Sequence, residues 1–71
     1  MTLKELIEKY SIGKKKGVII LKIPNDLSAN VESVVIDAYT KRILNNKESL
    51  YYLYDIEGIS KRTGLDLSEI I

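Results

Sequence analysis

The chain has 71 residues, 45% hydrophobic and 30% charged, with eleven Lys and Arg against ten Asp and Glu for a formal net charge of +1. At this length one domain spanning 1–71 is expected, with a thin core, because a chain this short buries only roughly 60% of its unfolded surface. The absence of Cys and His excludes a disulfide framework, a thiolate nucleophile, the usual zinc ligands and an imidazole base, so neither an enzyme nor a metal or other cofactor is expected. The apolar run from Val18 to Leu21 is far shorter than the roughly 20 residues of a membrane span, and the first residues mix acid and base, unlike a signal peptide. A soluble cytoplasmic protein with no membrane partner is expected. Eleven Ile, and nine Lys against two Arg, suit an AT-rich or heat-adapted prokaryotic source.

Thr2-Leu3-Lys4-Glu5 fits a reciprocal helix cap, and Leu3, Leu6, Ile7 and Tyr10 recur at the spacing of one buried helical face. Gly13 can close that helix. Lys14-Lys15-Lys16, between Gly13 and Gly17, reads as a basic turn. It leads into Val18-Ile19-Ile20-Leu21-Lys22-Ile23, the one clear strand, bounded by Pro24. That strand needs a hydrogen-bonding mate. Within the chain only Tyr10 to Ile12 offers one, as a hairpin across Gly13 to Gly17. The alternative is the same strand of a second copy, paired across a two-fold axis.

Beyond the caps of Asn25 to Asn30, Val31, Val34, Val35, Ala38 and Tyr39 form an apolar stripe flanked by Ile36 and Ile43. This predicts a long helix to about Leu44, with Ser33, Asp37, Thr40 and Lys41 opposite and Asn45-Asn46 as its end. A third helix is expected from about Lys47 through Leu50 to Tyr54, and a further segment, Ile56 to Thr63, capped by Asp55. The fold class read from these elements is α+β but mostly α: a short N-terminal helix, one strand paired across a dimer, then helices.

The segment from Asp55 to Ile70 resembles the helix-turn-helix of prokaryotic transcription regulators. Ile59 would be the core residue of the first helix, Ser60 the small residue at the crossing, Gly64 the turn, Leu65 the plug and Ile70 the buried residue of the second helix. The order of a strand ending in Ile-Pro-x-x-Leu (Ile23 to Leu27), a long helix and this corner is similar to small prokaryotic antitoxin-like proteins. The strand-then-helix start also resembles ribbon-helix-helix repressors. These resemblances imply a homodimer that binds DNA and a cognate toxin.

The sequence thus points to a DNA-associated transcriptional regulator, antitoxin-like and dimeric. Lys61, Arg62, Thr63 and Ser68 would approach the duplex, with Lys14, Lys15 and Lys16 on phosphate and Val18, Ile19, Ile20, Leu21, Lys22 and Ile23 at the dimer or partner interface. The plainer readings are an αα-corner and a solvated lysine turn. Tyr51, Tyr52 and Tyr54 are either stacking platforms for single-stranded bases or core residues with hydroxyls at the rim. The alternative function is a non-enzymatic interaction module or small subunit that docks by strand addition at an exposed strand edge. Charge divides unevenly: residues 1–35 carry six Lys and four acids, whereas residues 36–71 carry five basic and six acidic groups.

Overall fold

A computed structural model describes residues 2–36 and 38–71. Helix α1, Leu3–Tyr10, opens on the expected cap: Thr2 Oγ1 accepts from the Glu5 amide at 3.2 Å, and Glu5 Oε1 accepts from the Thr2 amide at 3.1 Å. Strand β1, Ser11–Lys15, follows at once and pairs antiparallel with β2, Val18–Pro24. The tight connection is Lys16-Gly17, where Gly17 sits at φ 80°, a conformation that a side chain disfavours. Gly13 therefore lies inside a strand rather than at a helix end, and Lys14 and Lys15 are strand residues.

A 3-10 turn, Asn25–Leu27, leads to α2, Ser28–Val34, and then come β3, Tyr39–Ile43, β4, Glu48–Leu53, and α3, Ile56–Thr63. The four strands form one antiparallel sheet in the order β1-β2-β4-β3. The mostly α expectation is overturned. The long helix to Leu44 stops at Val34, with Val35 already extended at φ −90° and ψ 95°, and the helix expected around Leu50 to Tyr54 is β4 and its C-terminal continuation. Both differences have one cause. β-branched and aromatic residues dominate these segments, and their strand preference is satisfied by cross-strand pairing that a helical count of apolar positions does not register. Asn45, expected to end a helix, instead shapes the β3–β4 turn: its Oδ1 accepts from the Lys47 and Glu48 amides at 2.7 and 2.9 Å. The expected place of Asp37 on a helix face lies outside the described residues.

Strand β2 is central, hydrogen-bonded to β1 along one edge and β4 along the other. Pairing across a dimer through Val18 to Ile23 is therefore corrected, because both edges are filled within the chain and the hairpin with β1 supplies the mate. Residues 19, 21 and 23 of β2 and 49, 51 and 53 of β4 alternate onto one face and are buried there. Over this inner face lie Leu3, Leu6 and Ile7 of α1, Val31 and Val35 in and after α2, and Ile56 and Ile59 of α3, in a single core with Leu67 and Ile70.

Helix α3 keeps the expected ends. Asp55 caps it by accepting from the Gly58 amide, and Gly64 closes it at φ 75°. Leu65 packs against the core and Ile70 is buried within it. The second helix of that motif is absent: residues 65–67 carry no helix, and 68–70 make one turn. Asp66 Oδ1 accepts from the Ser68 amide at 3.2 Å and its hydroxyl at 2.8 Å, a local turn in place of helical bonding.

Candidate nucleic-acid interface

Directly paired residues of antiparallel strands share a face, so the register defines what lies opposite the core. Lys15 pairs with Val18; Gly13, Ile20, Tyr52 and Thr40 form the next row; Lys22, Leu50 and Arg42 form the one after; and Glu48 stands opposite Pro24. Tyr54 continues the alternation of β4, and its hydroxyl donates to Thr40 Oγ1 at 3.1 Å, which fixes the ring on this outer face. The helices contribute their buried residues to the inner core, and the outer face lies open. Val18, Ile20, Leu50 and Tyr52 are half-buried there, while Lys15, Lys22, Thr40, Arg42 and Tyr54 are exposed.

The result is an apolar and aromatic platform edged by three cations. Its strand acid, Glu48, lies 3.6 Å from Lys22 Nζ. Beside it, the Lys14 to Gly17 end of the hairpin is tied to the C-terminal turn, since the Gly17 amide donates to the Ile70 carbonyl. The structure thereby brings the segment containing Ser68 to the lysine turn.

The other expected site residues are placed differently. Lys61 is exposed on the last turn of α3, where a cation suits the helix dipole. Arg62 Nη2 donates to the Val34 carbonyl at 2.9 Å and ties α3 to the end of α2. Thr63 Oγ1 donates to the Ile59 carbonyl at 2.7 Å and accepts from the Leu65 amide at 3.3 Å, so its hydroxyl serves the helix end. Of Val18 to Ile23, residues 19, 21 and 23 are core, while 18, 20 and 22 belong to the outer face. The tyrosine cluster divides in the same way: Tyr51 is core, and Tyr52 and Tyr54 lie on the open side.

Sequence reasoning missed Arg42, Thr40 and Leu50 as members of one surface. The signal that finds them is the period-two alternation of 48–53, where Ser49, Tyr51 and Leu53 are buried against the half-buried Glu48, Leu50 and Tyr52.

A second polar group sits at the margin of the inner face. Tyr51 donates to Glu32 Oε2 at 2.8 Å, Lys41 Nζ lies 3.4 Å from the same oxygen, and the Tyr39 and Tyr51 rings meet with centroids 5.7 Å apart. The Tyr51 hydroxyl holds the Glu32 carboxyl below its ordinary value. Tyr51, and secondarily Glu32, raise Lys41, while burial raises the Tyr51 phenol. All three groups are driven away from titration near neutrality, which suits an ionic clasp between α2 and the sheet.

No family model, curated protein or solved structure significantly matches the chain. No helix among the described residues is long and apolar enough to cross a membrane.

Proposed function

We propose that the protein is a small nucleic-acid-associated regulator whose contact surface is the outer face of its sheet and the adjoining lysine hairpin. The observation behind this reading is the placement of Lys15, Lys22 and Arg42 around the half-buried Val18, Ile20, Leu50 and Tyr52, in a chain of only +1 net charge. Clustering matters more than the total, because phosphate contacts depend on local cations and the counterions they release. Lys16, in the hairpin turn, extends the positive edge, whereas Lys14 pairs with Ile19 and stands on the inner side. Lys61, on α3, lies with the helical layer and has no part in this surface.

The reading is tested by anisotropy titrations with labelled oligonucleotides at low and high salt. Binding should weaken steeply with salt, and a Lys15→Ala/Lys22→Ala/Arg42→Ala variant should bind more weakly with a shallower salt slope. No binding at low salt would sink the proposal.

One observation favours a second reading, docking by strand addition. Strand β3 is an edge strand with all five residues exposed, among them Tyr39 and Ile43, the latter 70% exposed. The other edge, β1, is guarded by lysines and a register irregularity between Ser11 and Gly13. A homodimer or a toxin-like protein partner would add its strand to β3. Sedimentation of the wild type against Ile43→Lys tests self-association, and a monomer at all concentrations removes the homodimer.

A further inference from the structure

Resting on the nucleic-acid reading, we infer that the outer face is a site for unpaired nucleic acid, with Tyr52 and Tyr54 each stacking on one base of an extended strand. Tyr52 lies in β4 and Tyr54 one residue past its end; two residues apart in extended chain, they share a face with their backbone positions about 6.8 Å apart. Stacked bases within a duplex strand rise by only about 3.4 Å. A duplex therefore cannot set consecutive bases on both rings, whereas a single strand with its bases unstacked and splayed can. The half-buried Tyr52 stands between Ile20 and Thr40 in its row, which fixes its position and lowers the entropy lost on binding. Tyr54, 45% exposed, is held by the bond from its hydroxyl to Thr40.

The rim matches such a ligand in charge. Arg42 stands beside Leu50 in the row next to Tyr52, and Lys15 lies beside Val18 at the Tyr54 end, so a cation is available to backbone phosphates at each end of the pair. The acid on the same face, Glu48, is already opposed by Lys22. Aromatic stacking tolerates any base, so the ligand class is single-stranded DNA or RNA without strong sequence preference.

The test uses the full chain with fluorescein-labelled oligothymidylate, oligouridylate and a duplex of the same length. The single strands should bind more tightly than the duplex, and the deoxy and ribo probes tell the two sources apart. Tyr52→Ala and Tyr54→Ala should each weaken single-strand binding about tenfold, whereas Tyr52→Phe should retain it and Tyr54→Phe, which keeps the ring but loses the bond to Thr40, should lose less than Tyr54→Ala. Circular dichroism checks that each variant folds, and the exposed Tyr54 keeps the test decisive if Tyr52→Ala does not. Equal binding of duplex and single strand, with the alanine variants unaffected, would overturn the stacking site while leaving the broader reading standing. Failure of every probe at low salt would remove both. A probe-free dimer that dissociates on Tyr52→Ala would give the face to a second copy instead.

Discussion

The two faces of the sheet are built by the same strands from similar residues, yet they differ in what covers them. On the inner side Ile19, Leu21, Ile23, Tyr51 and Leu53 have no exposed surface. Their immediate neighbours Val18, Ile20, Leu50 and Tyr52, of the same chemical types, keep part of their surface in water. Strand formation selects β-branched and aromatic residues on either side, whereas burial follows from where three short helices are laid. Residue type alone therefore separates these faces poorly. Cations separate them no better: Lys15, Lys22 and Arg42 edge the open side, and Lys14 and Lys41 pair with the inner-face residues Ile19 and Tyr51.

The largest contrast should emerge from adjacent residues of β2. Leu21→Ala removes wholly buried packing at a cost of about 2–5 kcal/mol, comparable with the entire stability of so small a core, and should abolish cooperative urea unfolding. Ile20→Ala should cost about 1 kcal/mol and leave the transition intact. Equal losses would mean that the outer face is covered after all. Next in size are the ends of α3, which lies over the inner face. Gly64→Ala forces a side chain to φ 75°, and Asp55→Ala removes the cap; each should lower stability by about 1 kcal/mol in the same assay.

Glu32 provides a smaller effect with a defined sign. Its folded pKa is depressed by Tyr51, so its contribution is present above the unfolded carboxylate pKa and fades as pH falls through the folded value. Glu32→Gln should therefore unfold at lower urea than the wild type at neutral pH, and the gap should close in acid. A gap that persists unchanged at low pH would show that the hydrogen bond, not the charge, carries the effect. The smallest change belongs to the open face, where the exposed Lys22–Glu48 pair should show a coupling of about 0.5 kcal/mol or less in a double-mutant cycle, diminished by salt.

Legibility in the sequence followed the range of the interactions involved. The α1 cap, the Asp55 cap and the Gly64 terminus are readable because their partners lie within a few residues, and the strand from Val18 because its run of β-branched and apolar residues marks it without reference to a partner. Strands β3 and β4 are not. Val31, Val34, Val35, Ala38 and Tyr39 fit a helical stripe, and the chain leaves the helix after Val34 because Tyr39–Ile43 pairs with β4, which is itself anchored on the distant β2. Gly58 illustrates the local limit: it lowers helix propensity, yet a Cβ there would collide with the Asp55 carboxylate that caps the helix. The candidate surface was half legible. Its lysines and tyrosines stand out separately along the chain, but their assembly needs a register that no local motif states.

The position of β2 between β1 and β4 also bears on how the molecule reaches its native state. The β1–β2 and β3–β4 hairpins each join neighbouring stretches of chain and can form on the scale of about 1–10 μs. The β2–β4 ladder must bring the two halves together across α2 and close a much longer loop. The seam at the middle of the sheet, rather than either turn, is where the folding barrier should lie.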